Sequence, residues 1–155
     1  MNVGATNETD YGNYYMYGMG SNTYNRRDTL YEGTEDPLAL SADTAAQEWG
    51  GQWHMPTRTQ MQELTANTTY QWITDYNGSG INGGLFMASN GKCVFFPAAG
   101  KWLNGGQRGA DVYGYYWSSS PSDSEHAYHL TFGNGNNSVS DVSRLNGFSV
   151  RPVVG

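Results

Sequence analysis

YWSSSPSDSEHAYHLTF, residues 116–132, runs straight into GNGNNSVSDVSRLNGFSVRPV, residues 133–153. Apolar side chains alternate there with Ser, Thr, His, Asp and Asn, and a period of two is that of a β-strand with one face turned to a core. In AYHLTF this puts Tyr128, Leu130 and Phe132 inward and leaves His129 and Thr131 outward. In the next strand Val139 and Val142 read as inward, with a bulge between them because their spacing is odd. Ser138, Ser140, Asp141, Ser143 and Leu145 then fall on the outward side, and Phe148, Val150 and Pro152 close the sheet. Trp117 reads as core, and the hydroxyls of Ser118, Ser119 and Ser120 are expected to satisfy nearby backbone groups rather than act as nucleophiles.

Upstream, YQWITDY, GGLFMAS and KCVFFPAAG share the period of two, with NGSG and the Asn90-Gly91 pair as turns. The lone cysteine, Cys93, sits in KCVFFP and reads as a buried strand thiol. Helices come earlier. SADTAAQEWGG predicts a short one, with Ser41 as cap, Asp43 in the first turn, Ala45, Ala46 and Trp49 on one face and Gly50 as the stop. A second starts at Thr57, where TRTQ has the spacing of a capping box and Met61 and Leu64 supply the apolar side. The Tyr-, Gly- and Asn-rich first thirty residues show no sustained period beyond a short strand at Tyr14–Tyr17. Two short helices followed by a run of antiparallel strands and long loops make an α+β chain, read as one domain over residues 1–155.

Composition narrows the function. Charged residues are 14% and aromatics 14% of 155, with 21 Gly and 12 Tyr, a profile suited to presenting contact area on a loop-rich frame or to filling a core poor in aliphatics. The net charge of -6 opposes nucleic-acid binding, which needs a basic stripe. No apolar run reaches the roughly eighteen residues of a membrane helix, so direct membrane insertion is not expected, and MNVGATNETDYG has no signal-peptide pattern.

Catalytic patterns are missing. There is no GxSxG elbow, HExxH, CxxC or acidic calcium loop, and His54, His126 and His129 stand in no triad context. Neither an enzyme nor a cofactor or metal is expected.

The order NETDYGNYYMYG, AAQEWGGQWHMPT, NGSGINGGLFMASNGKCVFFPAAG, YYWSSS, AYHLTF and GFSVRPV resembles the Fibrobacter succinogenes major paralogous domain family, common in gut Bacteroides and their phages. The resemblance implies a C-type-lectin-like fold. The EPN or QPD and WND signatures of calcium-dependent sugar binding are absent, EDP at Glu35–Pro37 being a poor substitute, and one cysteine excludes the copper site of the related formylglycine-generating enzymes. The resemblance further implies a variable protein of a diversity-generating retroelement, in which adenine mutagenesis turns AAC or AAT codons into many residues but never Lys, Glu, Gln, Met or Trp. None of those five types occurs from His126 to Ser149, whereas Glu125 departs from the rule. Polar turns also favour Asn, Gly and Ser on their own account.

The expected ligand surface therefore joins the flanking Tyr113 and Tyr115, the turn residues Ser122, Asp123, Ser124 and His126, and the strand residues His129 and Thr131. Asn134, Asn136, Asn137, Ser138, Ser140, Asp141, Ser143, Leu145 and Asn146 complete it. Its expected partner is a protein or glycan on a cell surface, met by a receptor-binding or adhesion protein on a cell or phage virion, with an oligomer possible. The alternative is a structural, non-catalytic domain of such an assembly, with the polar face as spacer.

Overall fold

The computed structural model describes residues 31–103 and 106–155, so the strand expected at Tyr14–Tyr17 lies outside the described residues. Helix α1 is Thr44–Trp49 and α2 is Arg58–Asn67. Strands β1 (Trp53–His54), β2 (Thr68–Ile73), β3 (Gly83–Ala88), β4 (Cys93–Pro97) and β5 (Lys101–Leu103) follow the helical region or thread between its parts. Then come β6 (Gly106–Arg108), β7 (Gly114–Pro121), β8 (His126–Gly133), β9 (Asn136–Ser143) and β10 (Val153–Val154). Among the described residues the pairings between these strands are antiparallel, in the orders β2-β3-β4, β7-β8-β9, β5-β6 and β1-β10, with isolated parallel bridges from Gly100 to Gly114 and from Tyr116 to Ser149. The described chain is α+β, as the sequence predicts.

Both helix starts are made by side chains. Thr57 Oγ1 accepts from Gln60 N at 3.1 Å while Gln60 Oε1 accepts from Thr57 N at 2.9 Å, the reciprocal capping box. Arg58 N, another amide with no partner inside the helix, donates to Ser120 Oγ at 3.0 Å and so ties α2 to β7. In α1 the cap is Asp43, not Ser41: its Oδ1 accepts from Ala46 N at 2.9 Å, and the same carboxylate accepts from Met55 N. Asp43 wins because that second amide is buried and needs an acceptor, whereas Ser41 is exposed. Ala45 is buried, but Trp49 lies outward at 43% exposure, contrary to its expected place on the inner face.

The sheet β7-β8-β9 is a layer between two cores. On one side Tyr116, Leu130 and Phe132 join Met61, Phe86 and Phe96, with Val139 against them. On the other, Trp117 and Ala127 join Leu38, Ala45, Met55, Phe148 and Val150, with Val142 against them. The register from His126↔Ser143 to Gly133↔Asn136 is unbroken, so β9 has no bulge and Val139 and Val142 serve opposite faces. The shift lies instead between β7 and β8, from Trp117 to Pro121. It brings the serines inward: Ser118 Oγ donates to Tyr128 O at 2.8 Å and accepts from Ser120 N at 3.1 Å. Burying a side chain such as Leu130 stabilises the fold by about 1.5–3 kcal/mol. The edge-on contacts of Phe96 with Phe86 (5.5 Å) and Tyr116 (5.0 Å) add about 0.5–1.5 kcal/mol each.

Residues 147–150 run alongside β7: Trp117 N donates to Ser149 O at 3.0 Å and Ser149 N to Tyr115 O at 3.2 Å. They carry Phe148 and Val150 over one end of the sheet. Cys93 is exposed rather than buried, because alternation along β4 turns Val94 and Phe96 to the core and leaves it at the strand's outer start. No helix among the described residues is long and apolar enough to cross a membrane.

Candidate functional site

Residues opposite one another in an antiparallel pair share a face, so the register defines two rows across the sheet. One row is Tyr115, Thr131 and Ser138; the next is Trp117, His129 and Ser140. Phe148 covers the second row at its β7 end, its ring 4.2 Å from Trp117 and 5.0 Å from His129, centroid to centroid. The first row is left half open. Beyond it Tyr113 is 44% exposed, its ring lying where a side chain on Gly133 would be, so that glycine lets the ring settle on the sheet.

Tyr113 and Tyr115 stand 6.2 Å apart, and the Lys101 ammonium lies 5.1 Å from the Tyr115 ring centroid. Burial lowers the pKa of Lys101. Burial, and then the neighbouring Tyr113, raises that of Tyr115. Together with Asn136, Ser138 and Ser140, exposed along β9, these residues form a surface of aromatic area, one cation and short hydrogen-bonding side chains.

His129 is not part of that surface. It is 5% exposed, enclosed by Tyr115, Trp117 and Phe148, and desolvation pulls its pKa down to about 4, helped by the Lys101 charge and opposed by a Ser140 backbone group. The outward position expected from alternation is corrected because the outer face of β8 carries a core of its own. Asn146 is also buried: its N and Nδ2 both donate to Ser143 O, closing the turn after β9. Ser143 and Leu145, half buried, belong to that same turn, where Leu145 N donates to Ser143 Oγ at 3.3 Å.

The remaining expected residues divide by face. Asn137 pairs with Phe132 and Asp141 with Tyr128, on the opposite face from Ser138. Asn134 is exposed in the turn between β8 and β9. Ser122, Asp123 and Ser124 are exposed and His126 half buried, in the turn between β7 and β8. That turn is self-organised. Asp123 Oδ1 accepts from the backbone N of Glu125 and of His126, both at 2.7 Å, and contacts His126 Nδ1 at 3.0 Å, so its pKa is lowered first by the Glu125 amide and then by His126. Ser122 Oγ donates to Asp141 Oδ2 at 3.0 Å rather than to the His-Asp pair.

Two residues that matter here escaped the sequence reading. Arg144, fully buried, donates from Nη1 to Tyr31 O at 2.7 Å, from Nε to His126 O at 3.2 Å, and from Nη2 to Asp123 O. Its own N donates to Glu125 O at 2.9 Å. It clamps the 122–126 turn to the end of β9. A lone arginine between Ser143 and Leu145, with no other charge from Val142 to Val150, was the available signal. Lys101 lies outside the alternating stretch and reaches Tyr115 only through the tertiary fold. Among the described residues no three His, Cys, Asp or Glu side chains group as a metal would require.

Over residues 86–153, from within β3 to the start of β10, the chain is similar to a family described as Domain of unknown function (DUF8237). No curated protein and no solved structure matches the chain.

Proposed function

We propose that the protein is a non-catalytic binding module of C-type-lectin-like type, whose sheet β7-β8-β9 offers its Tyr115-Thr131-Ser138 face to a protein or glycan on a cell surface. The observation that carries this reading is the combination on one face of the exposed Tyr113 and the half-buried Tyr115 with short polar side chains that hold nothing together. The Ser138 and Ser140 hydroxyls lie outside the core and bond to no side chain or carbonyl of the described residues, while Tyr113 and Tyr115 give large contact area at small entropic cost. In this reading the module belongs to a receptor-binding or adhesion protein of a cell surface or phage virion, and a diversity-generating retroelement varies its C-terminal region.

The test is a screen of glycan and cell-surface protein arrays with the intact chain and with the triple variant Asn136→Ala, Ser138→Ala, Ser140→Ala. Loss of binding by at least about tenfold, with stability held within about 0.5 kcal/mol, is the expected result. Coupled loss of binding and stability would sink the reading. The diversification part has its own test in the neighbouring DNA: a reverse-transcriptase gene with a template copy of the C-terminal region that differs only at adenines.

A second reading, a structural domain of a surface or virion assembly, is favoured by a separate observation. Trp53 and Val154 pair across β1 and β10 with 43% and 52% exposure, and α1, which ends at the equally exposed Trp49, packs on β1. Exposed apolar residues clustered in this way mark contact surfaces. Measuring the oligomeric state with Trp53→Ser and Val154→Ser separates the two readings.

A further inference from the structure

Beside α2 and the stretch 151–153, on the face of β8 opposite Thr131, lies a cavity of about 350 Å3. Its walls are mostly apolar, with Met61, Leu64, Val94, Phe96 and Leu130 among them. Two donors interrupt them. The Arg151 guanidinium carbon is 5.5 Å from the Phe96 ring centroid, and no carboxylate or carbonyl of the described residues accepts from it. Gln60 uses its Oε1 on Thr57, which leaves its Nε2 donors without an acceptor among the described residues.

The volume falls in the range of small-molecule sites, about 300–1,000 Å3, and such sites join apolar walls to a few convergent polar groups. A guanidinium lying over an aromatic ring keeps its N–H edge free, and that edge matches a carboxylate in two parallel hydrogen bonds. A cation with no acceptor among the described residues, set beside apolar walls, selects for a ligand that is apolar along its body and anionic at one end. We propose that this cavity binds a small organic carboxylate, its aryl or medium-length alkyl body against Leu64, Val94 and Phe96 and its carboxylate on Arg151 and Gln60 Nε2. The site is independent of the surface proposed above, since Leu130 and Thr131 point to opposite faces of one strand.

The experiment is an NMR titration of the full chain with 4-phenylbutyrate and with its neutral counterpart 4-phenylbutan-1-ol, followed at the methyl groups of Met61, Leu64, Val94 and Leu130. Saturable shifts at these methyls are expected, with the acid bound at least about tenfold more tightly than the alcohol. Arg151→Met should bring the two within about twofold, and Val94→Phe, which narrows the cavity, should abolish both. If Arg151→Met lowers the melting temperature, the unaltered protein decides: added salt weakens the acid and spares the alcohol if the charge pair forms. Equal affinity for acid and alcohol, shifts mapping elsewhere, or no saturable shift would each overturn the proposal.

Discussion

Val139 and Val142, both on β9, point into different cores: Val139 lies with Leu130 on the Phe86-Phe96-Phe132 side, and Val142 lies with Ala127 on the Trp117-Phe148 side. A strand that feeds both faces has little outward surface left. What remains free on the Trp117 side is the part of β9 that the Phe148 segment does not reach, from Asn136 to Ser140.

His129 makes stability depend on pH. Its pKa is about 4 in the fold against 6.5 when unfolded, so the unfolded chain binds the extra proton first. Its contribution is complete above about pH 6.5 and is lost as the pH falls towards 4, by about 2–3 kcal/mol. Denaturant unfolding at pH 7.5 and at pH 4.5 should show this loss, and His129→Phe should flatten it. An unchanged pH profile in that variant would refute the assignment.

Arg144→Met removes the donors to Tyr31, Asp123 and His126; the His126 carbonyl keeps the amides of Ser122 and Asp123, while the carbonyls of Tyr31 and Asp123 lose their guanidinium donors. The expected cost is about 3 kcal/mol, because buried acceptors without donors lose their hydration uncompensated. Arg144→Lys should recover little of it, since an ammonium lacks the planar fork. Amide exchange in residues 122–126 should rise in both variants, and unchanged protection there would argue against the clamp.

Asp43 and Ser41 give a paired test of the first helix. Asp43→Ala loses the cap to Ala46 and the acceptor for Met55, for about 2 kcal/mol, while Ser41→Ala should cost nothing measurable. Chemical unfolding of the two variants checks it; equal effects would reinstate Ser41 as a cap.

Cys93 should react with a thiol reagent in the folded protein at a rate that does not follow unfolding, because its side chain is already exposed. A rate that rises only with denaturant would contradict the exposed position.

The capping box at Thr57 and Gln60, the Asn90-Gly91 turn and the long antiparallel run were legible because each is a local pattern with a local cause. His129 was not. A period of two tells which residues share a face but not whether the second face is also buried, and here Phe148 comes from outside the strand to bury it. The same gap explains Val142 and the bulge wrongly expected beside it. Tyr113, Ser138 and Ser140 were found on an exposed surface because the cover ends before them. Lys101 and Arg144 were hidden by distance along the chain, which alternation does not span.

In the 122–126 turn Arg144 holds main-chain oxygens, Asp123 O and His126 O, as it does Tyr31 O, and its own amide reaches a further one on Glu125. A carbonyl is present whatever amino acid occupies the position. The loop is therefore gripped by its backbone, and its tip at Ser122 and Ser124 can be rewritten by mutation without loosening the grip. Replacing both with a panel of other residues would leave the fold intact, whereas changing the arginine that never meets solvent would not.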